Sequence, residues 1–424
     1  MSVNLTCKLS DRHLDSSQGS SQRQLAIAVS ASASVDGNNA PLNLCLVLDH
    51  SGSMGGQPLD TVKRAARDLV DRMYPQDRIS VVGFDHKAHV VVENQAVDRL
   101  ESIKEKIQSL KASGGTCIDD GIKLGLQETS KGKDGRVSQI FVLTDGENEH
   151  GDNDRCFQFS RLATEYNMTL HSLGFGDSWN QDVLEKIADA GGGTMAYIPD
   201  PAAAGAEFQR LLKRVQAIGL TNAHLILQLQ PHVRLAELKP IAQVAPDTIE
   251  LPYQTEGNAI IVRLGDLMTD VERVVLFNIY ISPTSYLEAH PATTEIPLLS
   301  AQVRFDVPTL AQINSLSAPI AIAADLVQDY QPQVDPQVQN YLLALGKYRQ
   351  TQLAEQKLQE GDRAGAATML QSAAKTALQM GDRNASTVLQ ENATRLQTGT
   401  ALSEAERKKT RIASKTVLQV PPIP

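Results

Sequence analysis

Residues 42–56 read LNLCLVLDHSGSMGG and place an apolar run directly before an aspartate, two serines and three glycines. The run over 42–48 is almost continuously apolar, as expected of a strand that is covered on both faces of a sheet. Oxygen side chains follow it at alternate positions, Asp49, Ser51 and Ser53, and glycines allow a backbone to turn sharply between them. The stretch therefore predicts a buried strand that ends in a loop of oxygen donors.

The same kind of apolar run recurs along residues 40–218. Runs rich in β-branched residues, such as RISVVGF, VSQIFVLT and MTLHSLGF, alternate with amphipathic segments of helical length. This alternation predicts an α/β fold, a sheet with helices on both faces.

Two further loops carry oxygen side chains. Thr116 lies in SGGTCIDDGI, before a predicted helix, and Asp145 directly follows a buried run in FVLTDGEN. In an open α/β sheet, ligands bind beyond the carboxyl ends of the strands, where the strand order reverses. If the first and fourth long strands are neighbours, five donors converge there: Asp49, Ser51, Ser53, Thr116 and Asp145.

These segments, in this order, resemble the metal-ion-dependent adhesion site of the Rossmann-like von Willebrand factor A (VWA) domain. The resemblance to that domain covers roughly residues 40–218. The resemblance implies that Ser51 and Ser53 bind Mg²⁺, or Mn²⁺ or Ca²⁺, directly. It implies that Thr116 binds the ion directly or through water, and that Asp49 and Asp145 hold coordinating waters. An acidic residue of a protein ligand would take the sixth position.

The residue types suit this chemistry. Mg²⁺ requires nearly octahedral oxygen ligands and gives up its waters reluctantly, so small hydroxyls at positions i and i+2 fit it. Neutral hydroxyls leave most of the charge of the ion uncompensated, and the ion then attracts an incoming carboxylate.

The segments on either side of the α/β block are different. Residues 1–37 and 220–307 contain short alternating strands broken by Pro, Gly and Asp. Because two N-terminal strands cannot bury a face alone, we expect both segments to form one discontinuous β-sandwich, with the VWA domain inserted in it. A floppy N-terminal arm is the alternative.

Residues 317–400 are rich in Ala, Leu and Gln at helical spacing, and this segment includes APIAIAADLVQDYQ at 318–331. We expect a C-terminal α-helical bundle, in which Gly361 and Gly381 each end a helix and the aspartate after each one caps the next. Residues 401–424 have little apolar periodicity, which indicates a flexible tail.

The tail suggests a further site. It is basic over 403–416 and contains Thr410 and Thr416, which could be phosphorylated and bound by a phosphothreonine-reading domain. A purely solubilising tail is the alternative.

Composition limits the function. The net charge of −9 argues against nucleic acid as a partner, and the absence of an apolar stretch of about eighteen residues argues against a membrane span and favours the cytoplasm. The four cysteines have no metal or redox spacing, and His86 and His89 are expected to be surface residues. No phosphate-binding, metalloprotease or nucleophile-elbow motif occurs, so we expect no enzymatic activity.

The sequence leaves three hypotheses for the function of the chain. The leading hypothesis is a Mg²⁺-dependent adaptor that binds an acidic residue of a partner protein. The second is a VWA subunit of an AAA+ ATPase or a metal-inserting, chelatase-like assembly. The third, a metal-dependent hydrolase, lacks an apparent general base or nucleophile near the site.

Overall fold

The computed structural model describes residues 2–32, 40–176, 178–269, 271–290 and 293–415 of the 424-residue chain. The strands within these residues are β1 Val3–Leu9, β2 His13–Asp15, β3 Ser21–Ala31, β4 Leu42–Asp49, β5 Arg78–Phe84, β6 Ala88–Ala96, β7 Val137–Thr144, β8 Met168–Phe175, β9 Gly192–Ile198, β10 Ile218–Leu229, β11 Val233–Leu235, β12 Ile241–Ala245, β13 Ile249–Glu250, β14 Gln254–Glu256, β15 Ala259–Met268, β16 Arg273–Ile281, β17 Glu295–Val307, β18 Gln312–Leu316 and β19 Ile320–Val327. The α-helices are α1 Gln57–Val70, α2 Leu100–Gln108, α3 Ile118–Ser130, α4 Asn153–Glu165, α5 Gln181–Ala190, α6 Pro201–Gln216, α7 Pro283–Leu287, α8 Pro336–Gln359, α9 Arg363–Gln379, α10 Arg383–Gln397 and α11 Glu404–Lys415.

The α/β block, from β4 to α6, contains a sheet in the order β6-β5-β4-β7-β8-β9. All neighbours are parallel except β5 and β6. Alternate residues of β4 point to opposite faces: Leu44 and Leu46 pack in the core that contains α1 and α6, whereas Cys45 and Val47 pack in the core that contains α3 to α5. The predicted α/β fold is confirmed, and β4 and β7 are neighbours at the point where the strand order reverses.

The strands on either side of the α/β block form two facing sheets. One has the order β1-β3-β16-β12-β13 with β11 paired to β16, and the other has the order β14-β15-β10-β17-β19-β2 with β18 paired to β17. Their apolar faces share one core. N-terminal strands therefore pair with strands that follow the α/β block, for example Ile27 of β3 with Val275 of β16.

The sandwich extends further along the chain than residue 307. The helix expected over 318–331 is wrong, because Ile320–Val327 forms β19, which pairs with β17 and, in parallel, with β2. The alanines of this segment have good helix propensity, but Ile320 and Ile322 alternate with small residues and fit a strand once partner strands are present.

The C-terminal domain is helical. α8, α9 and α10 pack through an alanine-rich core. The φ angles of Gly361 and Gly381 are +81° and +79°, which favours glycine after a helix. As predicted, the side chains of Asp362 and Asp382 accept hydrogen bonds from backbone N–H groups in the first turns of α9 and α10.

The segment predicted to be a flexible tail forms a docked helix over Glu404–Lys415. Thr410 is buried, with 6% of its surface exposed, and its hydroxyl accepts a hydrogen bond of 2.6 Å from Asn392 Nδ2. Lys415 Nζ lies 2.6 Å from Glu185 Oε1 in the α/β block. The predicted tail from 401 is therefore wrong over α11, and Thr410 is not an exposed modification site, whereas Thr416 lies outside the described residues.

Contacts between the α/β block and the sandwich show which ends of the parallel strands face the sandwich. Gln139 and Thr169, near the amino ends of β7 and β8, both donate hydrogen bonds to Asp266 Oδ2 of the sandwich, at 2.8 and 2.7 Å. The amino ends of these parallel strands therefore face the sandwich, and their carboxyl ends point away from it. Within the described ranges, no helix is long and apolar enough to span a bilayer.

Candidate metal centre

Asp49 lies at the end of β4 and is the most deeply buried carboxylate of the group. None of its surface is exposed; Asp49 Oδ1 accepts a hydrogen bond of 2.8 Å from the Ser51 N–H, and Asp49 Oδ2 accepts one of 2.5 Å from Thr144 Oγ1. Burial raises the pKa of Asp49 to about 6, and the charge of Asp145 adds to the shift. Asp49 thus holds the loop in place, and its hydrogen bonds offset only part of the cost of burying its charge.

The two serines and Asp145 form a continuous row of oxygens. Ser51 Oγ and Ser53 Oγ lie 3.0 Å apart, and Ser53 Oγ donates a hydrogen bond of 2.8 Å to Asp145 Oδ1. Ser51 is buried, with 1% exposed, whereas Ser53 is exposed and Asp145 is half-buried. Burial also raises the pKa of Asp145. The row is therefore closed on the side of β4 and open to solvent at Ser53.

Thr116 reaches the same point from the loop before α3. A Cβ atom added to Gly146 would lie 3.4 Å from Thr116 Oγ1 and 3.9 Å from Ser53 Oγ, which places the two hydroxyls around the same glycine. The Thr116 carbonyl accepts a hydrogen bond of 2.9 Å from the His150 N–H. The structure therefore brings all five predicted side chains together at the carboxyl ends of β4 and β7.

Backbone hydrogen bonds join the two loops that supply these side chains. The Gly52 N–H donates to the Gly114 carbonyl at 3.0 Å, and the Ser113 N–H donates to the His50 carbonyl at 2.9 Å. Gly114 has a φ angle of +66°, and a Cβ at this position would approach His86 Nδ1 to 2.3 Å. The Ser51–Ser53 loop and the Thr116 loop are thus held to each other before any ligand binds.

The donor set fits a hard divalent cation. It consists of three hydroxyls and two carboxylates, and all five are hard oxygen donors of the class that Mg²⁺ and Ca²⁺ bind. A dication among them would offset the like charges of Asp49 and Asp145, which burial alone makes unfavourable.

Sequence reasoning missed three residues that support the site. Thr144 anchors Asp49, and its only sequence signal is its position directly before Asp145. Asn148 lies in a polar loop and has no sequence signal of a structural role, but its Oδ1 accepts a hydrogen bond of 2.7 Å from the Ile118 N–H at the start of α3. Asp119 is fully buried and pairs with Arg155, with Oδ2 and Nη1 2.9 Å apart. These three side chains fix the loops around the oxygens.

The cysteines are not activated. Burial raises the pKa of Cys117 to about 11 and that of Cys45 to about 12, and both are free thiols. A thiolate nucleophile next to Thr116 is therefore not available near neutral pH.

Comparisons with known proteins match the α/β block and the C-terminal helical domain. The family model described as von Willebrand factor type A domain matches residues 43–210, and the model described as Sll0103-like, C-terminal alpha-helical domain matches residues 336–420. The Synechocystis sp. protein sll0103 is 55% identical over 424 residues, which is 100% of this chain and 99% of that protein.

Two solved structures are similar along nearly the whole chain. The von Willebrand factor type A protein from Catenulispora acidiphila has a TM-score of 0.81 at 17% identity, with 98% of this chain and 97% of that chain covered. The ArnB paralog VWA2 from Sulfolobus acidocaldarius has a TM-score of 0.59 at 16% identity, with 98% of each chain covered. At these identities the similarity concerns the fold. With the sequence matches, it follows that the chain belongs to the family of sll0103, as a VWA domain protein with an Sll0103-like C-terminal helical domain.

Proposed function

We propose that this chain is a non-enzymatic, Mg²⁺-dependent protein-binding module. In this proposal Ser51, Ser53 and Thr116 hold the cation, with Asp49 and Asp145 in support. The observation that carries the proposal is the convergence of the five side chains at one open edge of the sheet, with Ser53 Oγ 2.8 Å from Asp145 Oδ1 and 3.0 Å from Ser51 Oγ.

The arrangement of charge favours binding of an acidic ligand. The hydroxyls that would contact the ion are neutral. Both carboxylates of the site already accept hydrogen bonds, Asp49 from the Ser51 N–H and Thr144, and Asp145 from Ser53. An ion whose direct ligands are these neutral hydroxyls keeps most of its charge toward the open side of the site, because the two carboxylates lie behind the hydroxyls in this proposal. An Asp or Glu of a partner protein would supply the missing negative charge at the exposed side of Ser53.

The position of the site in the fold also supports a binding role. The sandwich contacts the amino ends of the strands through Asp266, so the carboxyl ends are free to meet a large partner. A mechanism of this kind needs no nucleophile or general base. It needs only an ion, a carboxylate and two surfaces that exclude water around them.

Removing either the ion or the carboxylate of the partner leaves the other group without its counter-charge. For a desolvated contact we expect a loss of about 2 to 5 kcal/mol of binding free energy. EDTA, Asp145→Ala in this chain, and replacement of a single acidic residue of the partner by Ala should therefore each release the partner.

Affinity capture from lysate with the full-length chain, with and without EDTA, tests the proposal. The control is Glu149→Ala, which removes an exposed acidic side chain four residues after Asp145 and should leave capture unchanged. Partners retained in EDTA would place the interface on the sandwich or helical domain and contradict the proposal. An AAA+ ATPase among the proteins released by EDTA would identify the assembly-subunit alternative.

A further inference from the structure

His50, between Asp49 and Ser51, has a side chain that the oxygen site does not use. The residue is buried, with 5% exposed, and its Nδ1 lies 3.0 Å from the Lys111 carbonyl oxygen. Because a carbonyl only accepts hydrogen bonds, Nδ1 carries the hydrogen and Nε2 carries a lone pair. Within the described part of the chain, Nε2 is buried and has no hydrogen-bond partner. Buried polar atoms are rarely left in this state, and a ligand at Nε2 would remove the cost of the unpaired lone pair.

His89, in β6, faces the same place. The ring centroids of His50 and His89 are 5.1 Å apart, with the ring planes at 75°. A Cβ atom on Gly83 would lie 3.1 Å from His50 Cδ2 and 3.1 Å from His89 Cε1. His50 Cδ2 is bonded to the unpaired Nε2, and His89 Cε1 is bonded to both nitrogens of its ring. The two imidazoles therefore converge over the backbone of Gly83, where a larger residue would crowd both.

The turn between β5 and β6 holds another imidazole, that of His86, beside the carboxylate of Asp85. His86 Nδ1 lies 3.3 Å from Asp85 Oδ1, and about half of the His86 side chain is exposed. Asp85 is fixed in turn, because it accepts hydrogen bonds from the Lys87 N–H at 2.9 Å and from Ser113 Oγ at 2.8 Å. A carboxylate that orients an imidazole, and a backbone carbonyl that does the same for His50, are the supports that histidine ligands of metals usually have.

We propose that His50 and His89 bind a Zn²⁺-type transition metal ion at a site separate from the oxygen centre. Imidazole nitrogen suits Zn²⁺, Cu²⁺ and Ni²⁺, whereas hydroxyl and carboxylate oxygens suit Mg²⁺. The two sites therefore differ in ligand type and select different ions. Two imidazoles fill half of a tetrahedral shell, and water molecules would complete it.

The position of His50 makes the second site relevant to the first. The His50 N–H donates to the Phe84 carbonyl at 2.9 Å, and its own carbonyl receives the Ser113 N–H. His50 is thus fixed between the oxygen loop and β5, and an ion on its ring would stiffen the segment that carries Asp49 and Ser51. This inference is independent of the proposed function, since a nitrogen site could exist whether or not the oxygen site binds Mg²⁺.

The test uses the full-length, metal-stripped chain in saturating Mg²⁺, titrated with Zn²⁺ by calorimetry and with Co²⁺ by visible absorption. We expect one equivalent of Co²⁺ to give the visible bands of nitrogen-ligated, low-coordinate cobalt. His89→Ala removes an exposed side chain and should weaken Zn²⁺ binding by about 10-fold or more. His150→Ala is the matched control, because it removes another exposed histidine, whose ring lies against Gly115 of the Thr116 loop.

Ser53→Ala separates the two sites, because it should weaken Mg²⁺ binding and leave Zn²⁺ binding intact. The ¹⁵N chemical shift of His50 Nε2 should move when Zn²⁺ is added to the wild-type chain. Equal Zn²⁺ affinity in wild type and His89→Ala, or displacement of Co²⁺ by Mg²⁺, would overturn the proposal, since the ion would then lie elsewhere or in the oxygen site.

Discussion

The oxygen site lies at the carboxyl ends of the central strands β4 and β7, and this end of the VWA sheet is called the sheet edge below. The sheet edge and the docked helix α11 both join segments that are distant in the sequence, but by different means. At the sheet edge, each contributing side chain directly follows a buried strand or precedes a helix, so the pattern is local. In α11, Arg411 lies 3.3 Å from Glu185 of α5 and 3.4 Å from Glu355 of α8, and nothing near Arg411 in the sequence indicates these partners. A local motif can therefore be predicted from the sequence, whereas a basic helix that needs distant acids resembles a free tail.

The energetic roles of the two regions differ as well. The sheet edge gathers carboxylates whose burial is unfavourable without a cation, whereas α11 brings bases to acids and stabilises the fold. Its attachment also includes Lys408, whose Nζ lies 4.0 Å from the ring centre of the fully buried Trp179. Mutations in α11 should thus affect stability, and mutations at the sheet edge should affect metal binding.

Arg411→Ala should have the largest effect on stability. The Arg411 side chain is 13% exposed and also pairs with Asp182, so its removal takes away the base that these three acids share. We expect the free energy of unfolding to fall by about 3 kcal/mol, as measured by urea denaturation. Arg407→Ala, one turn earlier on the same helix and 44% exposed, should cost less than about 1 kcal/mol. Equal losses would show that α11 docks by some other contact.

Asp11→Asn tests a second long-range contact, in which the segment before α8 holds the loop between β1 and β2. Burial raises the pKa of Asp11, but hydrogen bonds from the Gln333 and His13 N–H groups and from the Tyr330 hydroxyl, with the charge of Arg23, outweigh it and lower the pKa below 3.8. We expect a loss of about 2 kcal/mol at neutral pH, because the hydrogen bonds are to a charged group.

The pH dependence of that difference follows from the sign of the shift. A lowered folded-state pKa contributes stability that is complete above the unfolded value of 3.8 and is lost as the pH falls through the folded value. The difference between wild type and Asp11→Asn should therefore shrink below about pH 3.8, when measured by denaturation at several pH values. Asp15→Asn, which removes only local contacts with Ser17, is the control. A difference that stays constant with pH would contradict the assignment.

Thr410→Val should have the smallest effect. It removes the hydrogen bond from Asn392 Nδ2 but keeps the buried shape, so we expect a loss of about 1 kcal/mol. Thr394→Val, at an exposed position of α10, is the comparison and should change stability less. A kinase that labels Thr410 in the native chain as readily as in the unfolded chain would show that α11 detaches frequently.

The sequence predicts the α/β fold well because β4 and β7 are long, apolar and followed by distinctive residues. The pairing of the N-terminal strands with later strands could be inferred from their need for partners, but the extent of the sandwich could not. Ile320 and Ile322 lie among alanines, and only pairing with β17 decides between helix and strand. At the site, the five oxygen donors were predictable, whereas Thr144 and Asn148 were not, since threonine and asparagine are common in loops and only the folded geometry gives them a role.

Calorimetric titration of the metal-free chain with Mg²⁺ decides whether the oxygen site binds metal. We expect one binding event for the wild type and for Glu149→Ala, and a strongly weakened one for Asp49→Ala and for Ser53→Ala, with the folded state of each variant verified by circular dichroism. Unchanged Mg²⁺ affinity in both site variants, or no binding to the wild type, would contradict the claim that the oxygen edge of this sheet is a metal centre.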